Sequence, residues 1–314
     1  MNEYPISEME FIVLHAFALG RQSDLLTKSE GPRQYNYNRI EWLKTACGDV
    51  AGLIAGLEQR GLIANHSLTE KGLTALEPFK VDCAVIMAAG FSSRCVPLSL
   101  SRPKGLFNAK GQVLMERQIE QILSSGIPQI VVVVGYHKEQ FYYLKEKYGV
   151  IIVENPEYEV RNNLSSLYHA RKYLTGRRCY MCCADNWFSE NVFDAYVYES
   201  YFAVRFAKES TDEFCIKEDP ETGRCLSQHR GGFDQWYTMG QVFWDNEFST
   251  RYMNLLVSEY NLPEVQDMLF DDFYIRHAEK FRPAVWKYPE GVIWEFDTIE
   301  DFCKFDCEFL EHNR

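Results

Sequence analysis

The chain has 314 residues, a net charge of −12 and a hydrophobic content of 46%. This length predicts one large domain plus a smaller one, and the hydrophobic content excludes a largely disordered protein. The acidic balance argues against a general nucleic-acid-binding protein, whose affinity comes from lysine and arginine contacts with phosphates.

The sequence shows neither a targeting segment nor a disulfide framework. The first ten residues are polar and acidic, and apolar runs such as Ile130 to Val134 are too short to span a bilayer. The ten cysteines are scattered, and Cys179 and Cys182 fall in a predicted buried strand with no second pair at zinc-ligand spacing. We therefore expect a cytoplasmic protein with free thiols and no membrane contact.

The first 80 residues differ in pattern from the rest of the chain. Apolar residues at helical spacing in ISEMEFIVLHAFAL and DVAGLIAGLEQRGLI predict two helices, the second capped by Asp49 and ended by Gly61. The stretch LIANHSLTEKGLTAL predicts a short strand, a polar turn and a second strand leading into a helix. Helices followed by such a hairpin resemble a winged-helix domain, which would here occupy residues 1–80.

The charge of this first segment does not favour DNA binding. It carries eight Lys and Arg residues against ten Asp and Glu residues, and the helix in the place of a recognition helix has Arg60 as its one cation. Base reading needs a basic surface around the element that enters the groove. We therefore favour a packing module or a homodimer contact, and DNA binding stays open as the less favoured alternative.

From Val81 onward predicted strands and helices alternate, and EPFKVD is the natural junction before them. Continuous apolar strands such as CAVIMAAG, QIVVVVGY and VIIVENP alternate with helical segments such as LMERQIEQILSSGI, KEQFYYLKEKYG and NLSSLYHARKYL. This alternation predicts an α/β domain over residues 81–314, with a mostly parallel sheet covered by helices on both faces. Such sheets bind ligands at the carboxyl ends of their strands.

The second half of the chain is less regular. Residues 201–246 mix predicted strands with turns and are rich in aromatics. Helices are predicted for FSTRYMNLLVSEY, for VQDMLFDDFYIRHAEKF and for the segment from Thr298 to Leu310, and short strands for AVWKY and IWEFD.

The segment AVIMAAGFSSRCVPLSLSRPKGL places a loop of small residues directly after a predicted core strand. The backbone N–H groups of such a loop are free of side-chain obstruction and can form a concave anion site. Arg94 can bind phosphate oxygens as a fork, and Lys104 supplies a point charge. The spacing fits neither a Walker A motif nor G-x-G-x-x-G. A polyphosphate site and a plain strand-to-helix connection both remain open for this loop.

Two aspartates are candidate metal ligands. Asp185 lies toward the end of the predicted strand RCYMCCADNWF, and Asp297 ends IWEFD. Magnesium bound to phosphates usually takes one or two carboxylates from the protein, and both residues are expected at the edge of the sheet where the loop lies. Asp185 could instead cap the following turn, and Asp297 could be the N-cap of the last helix.

The loop segment resembles the signature of nucleotidyltransferases that activate phosphorylated small molecules with an NTP, with Ser92 where that signature has its second glycine. The stretch GYHKEQFYYLKEKYGVIIVENPEYEVRNNLSSLYHAR, followed by ADNWF, is similar to bacterial CTP:phosphocholine cytidylyltransferases of the lic type. The resemblance covers about residues 82 to 310. It implies a Rossmann-like nucleotidyltransferase fold, Mg²⁺ as cofactor, and CMP transfer from CTP to phosphocholine. The product would be CDP-choline for decoration of the cell surface.

The same resemblance implies roles for individual residues. Arg94 would contact the outer phosphates of the nucleotide, Lys104 would lie near its α-phosphate, and Asp185 and Asp297 would bind Mg²⁺. The nucleotide itself would contact Ala88, Ala89, Gly90, Ser92, Ser93, Asn162, Asn163 and Ser165. A plain helix N-cap is an equally good interpretation of Asn163.

The acceptor is less well defined by the sequence. A quaternary ammonium group prefers aromatic faces, and a primary amine would depend more on acidic side chains. The candidate acceptor-site residues are Trp187, Arg205, Lys208, Phe214, Trp236, Phe270 and Asp271, with Arg205 and Lys208 for the acceptor phosphate. Phe214 and Phe270 stand where the family tends to have Trp or Tyr, which favours 2-aminoethylphosphonate or phosphoethanolamine as alternatives. A sugar-1-phosphate nucleotidyltransferase and a nucleotide-sensing DNA-binding regulator are the other classes that remain.

Overall fold

The computed structural model describes residues 5–27 and 37–313. The chain divides into two compact units, and the boundary after Lys80 coincides with the junction placed from the sequence. The smaller unit comprises Met1–Lys80 together with Tyr196–Tyr198 and Trp286–Pro289, and the larger unit comprises the remaining residues. The inclusion of two short later segments in the smaller unit was not predicted from the sequence.

The smaller unit is built from helices and one hairpin. In chain order its elements are α1 (Glu8–Ala18), α2 (Arg39–Ala46), α3 (Val50–Gln59), β1 (Ile63–Ala64), β2 (Ser67–Leu68) and α4 (Glu70–Leu76). Side chains at the helix starts accept hydrogen bonds from backbone N–H groups: Asp49 begins α3 and Thr69 begins α4. The hairpin pairs Ile63 with Leu68, as the sequence predicted. The winged-helix resemblance itself stays a prediction.

Gly72 holds α4 close to the residue before the hairpin. A Cβ atom at this position would lie 2.2 Å from the Leu62 carbonyl oxygen. Gly72→Ala should therefore lower the free energy of unfolding by about 2 kcal/mol or more, because backbone atoms must move apart. The midpoint of urea unfolding measures the change. The matched control is Gly56→Ala in α3, where an added Cβ meets no atom within 4 Å, and a gain of about 0.5–1 kcal/mol is expected there. Equal stability of the two variants would contradict the packing described.

The larger unit contains the remaining strands and helices. Its strands are β3 (Cys83–Ala88), β4 (Asn108–Ala109), β5 (Gln112–Val113), β6 (Ile130–Val134), β7 (Ile151–Glu154), β8 (Cys179–Cys183), β9 (Asn186–Phe188), β10 (Tyr201–Glu218), β11 (Cys225–Trp244), β12 (Ala284–Tyr288) and β13 (Ile293–Glu295). Its helices are α5 (Leu114–Ser124), α6 (Tyr143–Tyr148), α7 (Leu164–Leu174), α8 (Asn246–Glu259), α9 (Phe270–Arg276), α10 (Ile299–Phe305) and α11 (Phe309–His312).

The main sheet has the strand order β12-β10-β11-β8-β3-β6-β7. Strands β8, β3, β6 and β7 run parallel, and every residue of β3 and β6 is buried, as expected for a parallel sheet covered on both faces. The predicted α/β class and the mixed, mostly parallel nucleotidyltransferase sheet are confirmed. The less regular second half forms β10 and β11, two long antiparallel strands whose register shifts several times, and β11 also pairs antiparallel with β8.

Three predicted helices are shorter than their sequence patterns indicated. The KEQFYYLKEKYG segment begins as a 3-10 turn before α6, and only Phe270–Arg276 of VQDMLFDDFYIRHAEKF is α-helical. The last predicted helix breaks at Asp306, because its carboxylate accepts hydrogen bonds from the Lys110 and Glu308 backbone N–H groups. Across the described ranges, no helix combines the length and apolar character needed to cross a bilayer.

Candidate active site

A cleft of about 380 Å³ opens at the carboxyl ends of β3 and β8. The parallel strands place the loops that follow them along one edge of the sheet. Predicted residues that line the cleft are Ala88, Ala89, Gly90, Ser92, Ser93, Arg94, Lys104, Asn162, Asn163, Asp185 and Asp297. Ser165 and the predicted acceptor-site residues lie outside its described lining. The structure thus brings the loop, both cations and both aspartates together, although they are far apart in the sequence.

The small-residue loop turns sharply after β3. Ser92 adopts a left-handed backbone with φ of 54°, a conformation that glycine adopts without strain and serine rarely. This explains why a glycine usually stands at this point of the signature. Gly135, which was not predicted as a site residue, packs closely against the loop. A Cβ there would lie 2.7 Å from both the Ala89 carbonyl oxygen and the Tyr158 ring, so only glycine fits.

Lys104 is buried, and its ammonium group is held by three oxygens. Its Nζ lies 2.6 Å from Asp185 Oδ2, 2.7 Å from the Phe296 carbonyl oxygen and 3.8 Å from Asp297 Oδ1. Only 9% of the residue is accessible. Burial opposes the charge, but the Asp185 and Asp297 carboxylates outweigh burial and raise the pKa of Lys104. The lysine is therefore a fixed cation at the cleft floor.

Arg94 lies at the mouth of the cleft and is largely exposed. Its guanidinium donates a 2.5 Å hydrogen bond to Asp297 Oδ1, the carboxylate that also faces Lys104. Thr298, and not Asp297, is the N-cap of α10, its hydroxyl accepting from the Asp301 N–H. The alternative interpretation of Asp297 as the helix cap is therefore wrong, and its side chain is directed to the two cations.

The two aspartates fit a magnesium ion that also binds phosphates. Asp185 Oδ1 is buried without a hydrogen-bond partner, which is a costly state for a carboxylate oxygen unless a cation binds it. Asp297 lines the same cleft. Residues 5–27 and 37–313 contain no group of three or more His, Cys, Asp or Glu side chains that could hold a metal ion. A metal here would therefore share its ligands between the two aspartates and the substrate, as Mg²⁺ commonly does.

The sequence analysis missed a further acid, Glu295. It lies on β13 two residues before Asp297, so the strand period directs both side chains to one face. Burial and the charges of Asp185, Glu213 and Asp297 raise the pKa of Glu295 well above its usual value. The acid-x-acid spacing in WEFD was the available signal. Near this site the carboxylates therefore outnumber the cations.

Cys183 lines the cleft and interacts with the charges of three acids. Burial and the charges of Asp185, Glu295 and Asp271 raise the pKa of the Cys183 thiol well above its usual value. Asp271 is itself buried, and burial raises its pKa to about 7 although Gln228 donates a 2.7 Å hydrogen bond to its Oδ1. The sequence analysis named Asp271 but not Gln228.

The predicted base-reading amides have structural partners. Asn162 donates to the Asp267 carbonyl oxygen, and Asn163 Oδ1 accepts from the Phe270 N–H at 2.9 Å. Asn163 precedes α7 but makes no side-chain capping bond there. The Ser165 hydroxyl accepts from Asn155, which tethers the loop before α7. These side chains fix the segment that lines the cleft.

An aromatic group that the sequence analysis did not identify lies beside the loop. Phe91 is 43% exposed, and its ring lies 5.2 Å from the rings of both Tyr136 and Tyr158. Phe91 and Tyr158 both line the cleft. Exposed aromatic surface next to a phosphate-binding loop is well placed for stacking on a nucleobase.

Most of the predicted acceptor-site aromatics are packed rather than open. Trp187 is buried in a core cluster with Arg117 stacked 4.3 Å above its ring, and Phe270 is buried in the main core. Phe214 is buried with Arg230 4.4 Å above it, and Trp236 meets the edge of Phe206.

The two cations predicted for the acceptor phosphate lie on β10. Arg205 lies over the Tyr237 ring at 5.4 Å. Lys208 is exposed, with its side chain 81% accessible and its Nζ 3.8 Å from Glu290 Oε2. Neither contributes to the described lining of the cleft.

Comparison with known proteins assigns the fold and the site to a class. Residues 84–205 match the MobA-like NTP transferase domain. The structure superposes on a CTP:phosphocholine cytidylyltransferase from Streptococcus pneumoniae with a TM-score of 0.68 at 30% identity, covering 72% of this chain and 97% of that one. The fold and the cleft therefore define a nucleotidyltransferase.

Two relatives narrow the assignment from nucleotidyltransferases to cytidylyltransferases. A 2-aminoethylphosphonate cytidylyltransferase of Lancefieldella rimae is 31% identical over 226 residues, covering 71% of this chain and 91% of the relative. A choline-phosphate cytidylyltransferase of Streptococcus pneumoniae is also 31% identical, over 235 residues, covering 71% of this chain and 96% of the relative. The chain belongs to this cytidylyltransferase family of MobA-like nucleotidyltransferases.

The buried acid Asp271 gives the protein a predictable pH dependence of stability. Its pKa is about 7 in the folded protein, whereas an unfolded aspartate titrates near pH 4. Between these two pKa values the folded state therefore keeps a proton on Asp271 that the unfolded state has lost. The free energy of unfolding falls as the pH rises through this range. Between pH 5 and pH 8 the loss should reach about 2–3 kcal/mol. Asp271→Asn should remove most of this loss in urea unfolding, and the exposed Asp267→Asn should not. An unchanged loss in the Asp271 variant would contradict the assigned burial.

Proposed function

We propose that the protein transfers CMP from CTP to a phosphomonoester or a phosphonate that carries a cationic amine, with release of pyrophosphate. Phosphocholine and 2-aminoethylphosphonate are the candidate acceptors, because relatives named for each are equally similar to this chain. The observation that carries the proposal is the buried Lys104 ammonium between Asp185 and Asp297, directly below the small-residue loop.

The reaction is an in-line attack of an acceptor oxygen on the α-phosphorus of CTP. A bond forms between that oxygen and the α-phosphorus, and the bond from the α-phosphorus to the bridging oxygen of the β-phosphate breaks. No general base is needed, since a phosphomonoester with a second pKa of about 6 is already mostly a dianion at neutral pH. The barrier comes from bringing two anions together, so positioning and charge neutralisation supply the catalysis.

Residues of the chain can neutralise phosphate charge at two places, the small-residue loop with Arg94 and the cleft floor with Lys104. The backbone of the loop from Ala88 to Ser93 offers N–H groups to the phosphates, and the exposed Arg94 can leave Asp297 to bind a phosphate as a fork. Lys104 remains at the floor with a fixed positive charge near the α-phosphate. Asp185 and Asp297 would hold Mg²⁺, which neutralises charge on the phosphate oxygens when it is bound.

Three partly or fully buried acids are candidates for the acceptor side. Glu213, Glu295 and Asp271 all have pKa values raised by burial, and further carboxylates add to the shift in each case. A nearby ammonium group would stabilise their ionised forms, whereas the uncharged ring of a sugar 1-phosphate would not. This supports an amine-bearing acceptor over a sugar 1-phosphate. A regulator that binds DNA through residues 1–80 has no supporting observation beyond the hairpin, and the cytoplasmic location and homodimer stay predictions.

The proposal is tested by pyrophosphate release with CTP, Mg²⁺ and a panel of acceptors. We expect turnover with at least one of phosphocholine, phosphoethanolamine and 2-aminoethylphosphonate, and none with glucose 1-phosphate. UTP and GTP in place of CTP serve as nucleotide controls. Turnover restricted to the sugar phosphate, or no turnover at all, would sink the proposal.

Loss of Lys104 should affect both catalysis and stability. Lys104→Met leaves Asp185 without its counter-charge, whereas Asp297 keeps Arg94, so we expect about 3 kcal/mol lower stability and at least about a 100-fold lower kcat. Activity is measured at a temperature where urea unfolding shows the variant to be folded. The exposed Lys145→Met is the matched control and should change neither quantity. Near-normal kcat in the Lys104 variant would show that the lysine has no part in the reaction.

A further inference from the structure

A third cation, Arg161, lines the cleft and was not predicted from the sequence. It belongs to the segment between β7 and α7, and its side chain is 11% accessible. The sheet order β8-β3-β6-β7 puts this segment on one side of the loop that follows β3 and puts Asp185, which follows β8, on the other side. Arg161 and Asp185 therefore mark the two ends of the cleft.

The groups proposed to bind phosphates lie at the Asp185 end. Lys104, placed near the α-phosphate, contacts both Asp185 and Asp297. Arg94, placed at the outer phosphates, bonds Asp297 as well. With the phosphates at that end, the opposite end of the cleft, at Arg161, is left for the nucleoside.

The guanidinium group of Arg161 is fixed by its neighbours. Its Nε lies 3.0 Å from Glu157 Oε1, its Nη1 donates to the Tyr260 carbonyl oxygen at 2.9 Å, and the group lies 4.2 Å from the centre of the Tyr260 ring. Burial disfavours the charge of Glu157, but hydrogen bonds from Tyr260 and His169 outweigh burial and lower the pKa of Glu157. The ionised Glu157 keeps the guanidinium in one orientation.

This end of the cleft presents unused donors beside an unused acceptor. Arg161 Nη2 has no hydrogen-bond partner among residues 5–27 and 37–313. A fixed guanidinium can donate parallel N–H bonds to two adjacent acceptors. The neighbouring Asn162 donates its Nδ2 to the Asp267 carbonyl oxygen at 2.7 Å, so its Oδ1 stays available as an acceptor.

We propose that Arg161 selects cytosine over uracil by donating to the adjacent N3 and O2 atoms of the base, while Asn162 Oδ1 accepts from the 4-amino group. Uracil carries an N–H at N3 and an oxygen at C4. It would turn a donor toward the guanidinium and an oxygen toward Asn162 Oδ1, leaving polar groups unpaired in a partly buried site. This inference rests on the proposed cytidylyltransfer and names a residue that determines its nucleotide specificity.

The test compares kcat/KM for CTP and UTP in pyrophosphate release, with phosphocholine and with 2-aminoethylphosphonate as acceptors. We expect the wild-type enzyme to prefer CTP by at least about 100-fold. Arg161→Gln should lower this preference by at least about tenfold, because the forked donor is lost. Arg161→Lys keeps a positive charge beside Glu157 but cannot form the fork, so it should lower the preference as well. It replaces the glutamine variant if that variant does not fold in urea titrations.

The matched control is Arg171→Gln. Arg171 lies over the Tyr168 ring at 4.2 Å and donates to the Tyr168 carbonyl oxygen at 2.7 Å. Tyr168 stacks on Tyr260 at 3.6 Å, so both arginines pack on the same pair of rings. Arg171 lies outside the described lining of the cleft. Its variant should therefore leave the preference for CTP unchanged.

A nucleotide analogue tests the contact at N3 directly. In 3-deaza-CTP a C–H group replaces N3, so the wild-type enzyme should use the analogue with a kcat/KM at least about tenfold below that for CTP. Arg161→Gln should show a much smaller difference between the two nucleotides, because the donor to N3 is already absent. This coupling would not arise if Arg161 had a purely structural role.

The outcomes separate this inference from the proposed function. An unchanged preference for CTP in the Arg161 variants, or wild-type use of 3-deaza-CTP or UTP as efficient as that of CTP, overturns the role of Arg161 and leaves cytidylyltransfer standing. An equal penalty for 3-deaza-CTP in the wild-type and Arg161→Gln enzymes does the same. No turnover of CTP by the wild-type enzyme with either acceptor overturns the proposed function and this inference with it.

Discussion

The site depends on one buried ammonium group. Lys104 joins three separate parts of the chain, since its Nζ contacts the turn after β8 through Asp185 and the end of β13 through Phe296 and Asp297. A buried cation is tolerated only when anions and dipoles surround it, so the two aspartates are required by the lysine as much as by any ligand. The same carboxylates are the oxygens that a magnesium ion would take. In this structure they are neutralised in part by Lys104 and Arg94, which keeps a highly charged cleft stable.

Charge changes along the cleft in a way that suits its proposed chemistry. Lys104 and Arg94 line the cleft where phosphates would meet, whereas Glu213 and Glu295 are acids whose pKa values are raised in part by the charge of Asp297 in the same cleft. A zwitterionic acceptor would enter such a field in one orientation, with its anion toward the cations and its amine toward the acids. Orientation of this kind lowers the entropy that must be lost before two anions react.

The parallel half of the fold was predictable, because its strands are continuous apolar runs such as Ile130–Val134 and its helices keep a 3.6-residue period. The grouping of the small-residue loop and Asp185 at the carboxyl ends of the strands was also predictable, because it depends on that topology. Burial of Lys104 did not, because it depends on β13 folding over a residue nearly 200 positions earlier in the chain. Gln228 could not be predicted, because a lone polar residue in an antiparallel strand gives no periodic signal, whereas the acid-x-acid spacing with Asp297 was an available signal for Glu295. Trp187 and Phe270 show the opposite error, since composition cannot separate a core aromatic from a ligand-binding one.

The predictable and the less predictable parts of the chain also supply different parts of the proposed site. The matched transferase domain ends at residue 205, and Glu213, Gln228, Asp271 and Glu295 all follow it. The shared half supplies the loop and the cations, which any nucleotide requires, whereas β10, β11, α9 and β13 surround the acceptor side. Long antiparallel strands with register shifts tolerate changes of side chain without disturbing a parallel core. Relatives of equal similarity bear the names of different acceptors, and we infer that the residues which select the acceptor lie in the part of the chain that follows the matched transferase domain.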